Sequence, residues 1–107
     1  MKIPAINKQA DFKTLSSLGK KIATPFCTII YRKNEHKTLR LSFAASKRLG
    51  NAVARNKIRR RLRAAVAKST SGLKCSIDML IIPKSQSLTY SFHDVVNELR
   101  KIFTKIC

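Results

Sequence analysis

Acidic residues are scarce in this chain. Asp11, Glu35, Asp78, Asp94 and Glu98 are its only acids, 5 against 23 Lys and Arg in 107 residues, for a formal net charge of +18. A folded domain with that excess repels itself unless a polyanion neutralises it, and nucleic acid is the most common polyanion. The acids are scattered, so they form neither a general acid–base pair nor an all-protein Mg²⁺ cage. Cysteine is equally sparse. Cys27, Cys75 and Cys107 are odd in number and far apart, and are expected to make neither a disulfide framework nor a C-x-x-C zinc site. Cys27 is expected to pack as a small hydrophobe and Cys107 to be a free thiol, in a reducing cytoplasm. No apolar run has the length of a membrane span, and the first residues lack the apolar core of a signal peptide. His36 and His93 have no carboxylate or cysteine at catalytic or ligand spacing and read as surface residues.

What is present is a core. Hydrophobic residues make up 44% of the chain, enough for one domain over residues 1–107. Asn7 is a candidate cap for a helix running to about Leu18, with Phe12 and Leu15 on its buried side and Gly19 as its stop. Residues 24–32 are rich in β-branched and aromatic types and read as a strand, with Phe26, Thr28 and Ile30 facing one way and Cys27, Ile29 and Tyr31 the other. After a polar break, residues 38–44 form a second strand with Leu39, Leu41 and Phe43 on one face. The two are expected to pair as an antiparallel hairpin. Asn51 is the cap of a helix over about 52–68. Residues 76–82 are a nearly continuous apolar run ended by Pro83, which suits a buried central strand. Ser91 and Asp94 have capping-box spacing, and Phe92, Val95, Val96, Leu99, Ile102, Phe103 and Ile106 follow at helical period. The fold class is therefore α+β, a two-layer sandwich in which three helices cover a small central sheet.

Residues 55–63 read Arg-Asn-Lys-Ile-Arg-Arg-Arg-Leu-Arg. At about 100° per residue, Ile58 and Leu62 share one side of the helix with Ala54, Ala65 and Val66. Asn56, Arg59, Arg60 and Arg63 fall on the opposite side, and Lys57 extends that face. Arg55 and Arg61 flank the apolar seam, where their stems can cover core edges. Like charges at this spacing repel by a few tenths of a kcal/mol per pair, roughly, and no acid relieves them. Guanidinium forks grip phosphate in a bidentate manner, and Asn56 adds a neutral donor and acceptor. Lys47 and Arg48 lie just ahead of the helix N-terminus, where free N–H groups favour phosphate oxygen.

Ser46-Lys47-Arg48-Leu49-Gly50-Asn51-Ala52-Val53-Ala54-Arg55-Asn56-Lys57-Ile58-Arg59-Arg60-Arg61-Leu62-Arg63 closely resembles the signature of the bacterial ribonuclease P protein subunit. Asp11-Phe12, the strand opening at Phe26 and the final amphipathic helix extend that resemblance over nearly the whole chain. It implies an α/β sandwich with a left-handed β-α-β crossover, although the general rule for such units is right-handed. It implies the protein component of a ribonucleoprotein endoribonuclease that removes the 5′ leader of precursor tRNA. In that family the RNA subunit carries the catalysis, with Mg²⁺ held mainly by RNA and substrate. The implied partners are ribonuclease P RNA and the precursor-tRNA leader, with neither DNA nor membrane. The implied RNA-binding residues are Arg55, Asn56, Lys57, Arg59, Arg60, Arg61 and Arg63, with Ser46, Lys47 and Arg48 in the loop before them. The implied leader cleft, between the first helix and the sheet, takes Phe12, Cys27, Ile29 and Tyr31. Ser16 and Ile29 depart from aromatic residues common in the family.

The competing reading is a ribosomal or other structural RNA-binding protein, which shares charge and size but needs no leader cleft. A helix-turn-helix DNA binder would need a helix where residues 38–44 read as strand. A membrane-surface module would need large apolar side chains exposed beside the arginines.

Overall fold

The computed structural model describes residues 3–4, 6, 9–35 and 37–107, with residues 9–12 described by their backbone alone. Asn7 and His36 fall outside the described residues, as do the side chains of Asp11 and Phe12. The elements are α1 (Gln9–Leu18), β1 (Lys20–Ala23), β2 (Cys27–Lys33), β3 (Arg40–Phe43), α2 (Ala52–Ser69), β4 (Ile77–Pro83) and α3 (Phe92–Ile106). Short 3₁₀ turns at Lys47–Leu49 and Ser85–Leu88 precede the second and third helices.

The sheet order is β1-β2-β4-β3. β2 is antiparallel to β1 and β4, while β3 runs parallel to β4. α2 thus lies within a parallel β3-α2-β4 crossover. The expected β2–β3 hairpin is not formed, because β4 is inserted between the two strands. β4 is the most apolar strand, and the central position buries both of its faces: Ile77, Met79, Leu80 and Ile81 are all at most 3% exposed. The first strand opens at Cys27 rather than residue 24, and the Thr24 hydroxyl donates to the Cys27 carbonyl at 2.7 Å across the turn. β1 was not expected. It pairs two lysines against β2 at the edge of the sheet, with Lys20 opposite Tyr31 and Lys21 opposite Ile30. Charged residues are common on such edges because they deter pairing with other chains.

The two faces of the sheet carry different layers. Cys27, Ile29, Leu41, Ile77, Met79 and Ile81 form one core with Ile58, Leu62, Ala65 and Val66 of α2 and Val95, Leu99, Ile102 and Phe103 of α3. Burying each large apolar side chain contributes about 1.5–3 kcal/mol. Truncating the fully buried Leu99 to Ala would therefore cost about 2–5 kcal/mol. On the opposite face Leu15 of α1 packs on Ile30 and Leu80. α1 stops at Gly19, whose amide donates to the Leu15 carbonyl at 2.9 Å. A Cβ at Gly19 would lie 2.5 Å from Ile30 Cγ2, so only glycine allows α1 to turn this close to β2.

Cys75 and Cys107 are bonded, joining the lead into β4 to the end of α3. This corrects the expectation that Cys107 is a free thiol. Residues 32 positions apart become neighbours because α3 folds back beside the start of β4, a proximity that sequence spacing does not display. Cys27 is buried as expected, and burial pushes its thiol up to about 11, partly opposed by the Thr24 hydroxyl and the Lys84 charge.

Candidate nucleic-acid interface

α2 begins at a cap in which Asn51 Oδ1 accepts from the Ala54 amide at 2.9 Å, a contact worth about 1 kcal/mol. Its apolar seam is Ile58, Leu62, Ala65 and Val66, all buried. Asn56, Lys57, Arg59, Arg60 and Arg63 are exposed on the other side. An Arg59 guanidinium nitrogen donates to Asn56 Oδ1 at 3.3 Å, so the amide helps hold one fork in place. Arg63 lies over the Phe43 ring, 5.6 Å from its centroid, with a contact to the Ile3 carbonyl at 3.4 Å. That stacking holds the guanidinium itself on the β3 side of the sheet, while the residue as a whole stays exposed.

The flanking pair behaves differently from the open face. Arg61 is half-buried and donates to the carbonyls of Ser87 and Tyr90, which ties α2 to the segment leading into α3. Its donors are turned inward, whereas the resemblance places it in the RNA-binding set. Arg55, on the other flank, is also half-buried, and its Nε is enclosed without a hydrogen-bond acceptor among the described residues. An enclosed unpaired donor costs on the order of 1–3 kcal/mol.

The loop ahead of α2 is shaped by two local contacts. Ser46 Oγ accepts from the Arg48 amide at 3.1 Å, which starts the 3₁₀ turn. Gly50 then takes φ +122° and ψ −162°, a conformation essentially restricted to glycine, and redirects the chain into α2. Ser46, Lys47 and Arg48 are all exposed. The arrangement is a continuous cationic surface over the loop and the first three turns of the helix. Among the residues in it, Asn56 and Ser46 supply the neutral hydrogen-bonding groups.

The residues expected in a cleft divide differently. Cys27 and Ile29 are fully buried under α2 and α3, on the face away from α1. Tyr31 shares that face and is half-buried near the end of α3. Cys27 and Ile29 are therefore core residues and Tyr31 borders a different surface; none lies between α1 and the sheet. Strand parity is the cause: the face toward α1 carries Thr28, Ile30, Leu80 and Ile82, of which Thr28 and Ile82 are half-buried cross-strand partners. Both faces of β2 are apolar, so alternation does not tell which one lies under α1.

At the other end of that face Arg40 and Asp78 form a two-pronged pair, with Nε to Oδ1 at 2.7 Å and a terminal nitrogen to Oδ2 at 2.6 Å. Asn34 donates to the same carboxylate at 2.8 Å and to the Thr38 carbonyl at 3.0 Å. Asp78 thus locks the ends of β2, β3 and β4 together. The parallel register that sets Arg40 opposite Asp78 was the missing signal.

Fold and cationic face together define a small α+β protein built to hold a polyanion. The chain belongs to the ribonuclease P protein family, whose model matches residues 2–107. It is 30% identical over 104 residues to a ribonuclease P protein component of Thermoanaerobacter sp. (strain X514), covering 97% of this chain and 90% of that protein. It is 34% identical over 99 residues to the component of Desulforapulum autotrophicum, covering 92% and 85%. The structure of the Staphylococcus aureus RNase P protein superposes with a TM-score of 0.78 at 28% identity, covering 97% of this chain and 95% of that one. The Thermotoga maritima RNase P protein has the same fold, with a TM-score of 0.82 at 22% identity and coverage of 96% and 97%.

Proposed function

We propose that the chain works as the protein subunit of ribonuclease P, holding the catalytic RNA on the α2 face and the 5′ leader of precursor tRNA beside α1. The observation that carries this reading is the open arginine face of α2, continuous with Lys47 and Arg48 and free of acids. Arg59, Arg60 and Arg63 present guanidinium forks to backbone phosphates, and Lys57 adds a point charge. Ser46 and the first amides of α2 add donors suited to a phosphate oxygen at the helix start.

The leader is assigned to the strip beside α1 where Thr28 and Ile82 are half-exposed. A shallow apolar floor beside cations suits unpaired bases and their phosphates. Among the described residues no three His, Cys, Asp or Glu side chains converge. Asp78, the carboxylate nearest the sheet's polar end, is engaged by Arg40. The described carboxylates therefore do not fit an Mg²⁺ cage, and the reading assigns Mg²⁺ to RNA and substrate. Cleavage is assigned to the RNA; the protein's contribution is charge neutralisation and substrate positioning. No described helix is long and apolar enough to cross a membrane, and the proposed workplace is the cytoplasm, where precursor tRNA is processed.

The test is reconstitution with the cognate RNA at low Mg²⁺. Addition of the chain is expected to stimulate leader removal from precursor tRNA. Absence of stimulation across a Mg²⁺ and salt titration would sink the proposal and favour a purely structural RNA-binding role.

A further inference from the structure

We infer that the Cys75–Cys107 bridge is a reversible modification site, opened by small thiols at Cys107 and closed again by their disulfides, and that its state sets whether the last turn of α3 is held in place. The inference rests on the cytoplasmic workplace proposed above and not on RNA binding. In that reducing compartment a disulfide is as a rule transient and catalytic or redox-sensing. Two of the three cysteines are nonetheless brought together over a separation of 32 residues, from the lead into β4 and the end of α3. The third is unlike them: Cys27 is a free thiol buried in the core.

The two bonded sulfurs are not equivalent. Cys107 is exposed, whereas Cys75 is 8% exposed and belongs to the core. An incoming thiolate therefore reaches Cys107 Sγ. A new S–S bond forms there, the Cys75–Cys107 bond breaks, and Cys75 leaves as the thiolate. Lys37 and Lys74 line the cavity beside Cys75, and among the described residues no Asp or Glu does. The leaving charge thus develops near two cations. A second thiolate then attacks the outer sulfur of the mixed disulfide and frees Cys107. Two external thiols thereby become one disulfide, and their two electrons and two protons end on Cys75 and Cys107. The reverse sequence, with the external disulfide as oxidant, closes the bridge.

The bridge holds together charges that repel. Lys105 sits in the last turn of α3 and borders a cavity with Lys20, Arg32 and Lys33, again with no Asp or Glu in its lining among the described residues. Ile102 and Phe103 are buried, but Ile106 is only half-buried, and Thr104, Lys105 and Cys107 are exposed. Past Phe103 the turn has the packing of Ile106 and the Cys107 amide, which donates to the Phe103 carbonyl at 2.9 Å. Opening the bridge sets those weak contacts against four like charges, screened only by salt. The last turn then frays while the helix before it stays docked.

The experiment uses the full chain, folded and without RNA, equilibrated over a series of reduced to oxidised glutathione ratios, quenched in acid and mapped by mass. Cys75 and Cys107 are expected to pass together between bonded and free-thiol forms, in both directions, with Cys27 a free thiol at every ratio. A bridge that persists in fully reduced glutathione, or never forms in the oxidised form, overturns the inference. In Cys75→Ser, oxidised glutathione is expected to leave a mixed disulfide on Cys107. In Cys107→Ser, with the fold verified by circular dichroism, Cys75 is expected to stay unmodified; its modification there refutes the order of attack. Amide exchange over residues 104–107 is expected to lose protection on reduction, more at low salt than at high, and Lys105→Ala is expected to restore part of it. Equal protection in both redox states refutes the hold on the last turn, and a loss indifferent to salt and to Lys105→Ala refutes the part played by repulsion. Stimulation of precursor-tRNA cleavage is measured separately, so failure of the proposed function and failure of the redox site give different results.

Discussion

Arg61 and Arg59 sit two positions apart on the same helix, one turned inward onto backbone carbonyls and the other exposed. Arg61→Ala removes two charge-assisted hydrogen bonds, to the carbonyls of Ser87 and Tyr90. The segment they anchor is itself held to the sheet, because Ser87 Oγ donates to the Phe26 carbonyl at 2.7 Å. A hydrogen bond to a charged donor is worth about 1.5–3 kcal/mol. Arg61 keeps some solvent access, so the pair is discounted to about 2 kcal/mol in total. For a domain of this size that corresponds to a fall in Tm of roughly 10 °C. The salt slope of RNA binding should hardly move, since the guanidinium faces inward. Arg59→Ala should do the reverse: almost no change in Tm, and a slope lower by about 0.7–0.9 for one lost phosphate contact. Differential scanning calorimetry and filter binding across a salt series read the two quantities. An Arg61→Ala protein with unchanged Tm and a slope reduced as much as in Arg59→Ala would refute the division of the helix into a clamp and a face.

Arg40→Met removes both guanidinium contacts of a carboxylate that is only 13% exposed, and should cost about 3 kcal/mol in urea unfolding; Arg40→Met/Asp78→Asn should recover part of that loss. Gly50→Ala places a side chain at φ +122° with Ala54 Cβ 3.1 Å away. The expected destabilisation is about 1–3 kcal/mol, with weaker RNA binding as Lys47 and Arg48 lose their position, read by calorimetry and filter binding on the same sample. Reduction of the Cys75–Cys107 bond, or Cys107→Ser, opens a loop of 32 residues and should lower stability by up to about 4 kcal/mol on chain entropy; an identical Tm with and without dithiothreitol would show that the bond contributes nothing. Cys27, with its thiol pushed up to about 11, should resist iodoacetamide at neutral pH in the folded protein and react only on unfolding. Because its folded value lies above the unfolded one, stability should fall as pH rises from about 9 to 11.

The helices were legible because their signals are local. Ser91 caps α3 through the Asp94 amide, and the 3.6-residue stripe behind it names the buried residues. The seam of Ile58 and Leu62 likewise oriented the arginines of α2. Strand order was not legible, because pairing is long-range: nothing in residues 27–43 says that Ile77–Pro83 will separate them. The same limit misdirected the cleft. Cys27, Ile29 and Ile30 are all buried, so β2 lacks the polar face that would mark its exposed side. Arg61 was placed on the flank of the seam, but only the carbonyls of Ser87 and Tyr90, some 26 and 29 residues on, reveal what it holds.

The insertion of β4 between β2 and β3 has a consequence for how the chain comes off the ribosome. β2 has only β1 beside it, and β3 has no neighbouring strand, until residues 77–83 have been made, by which time the whole of α2 already exists. The α2 seam buries against a core that includes Ile77, Met79 and Ile81. A nascent chain that stops short of β4 therefore has an arginine-rich helix sequence but no surface to pack it on. Non-local pairing of this kind is slow and exposes apolar strands while it waits. The protein must complete its sheet late, with the cations of α2 already synthesised before the strand that its apolar seam packs on.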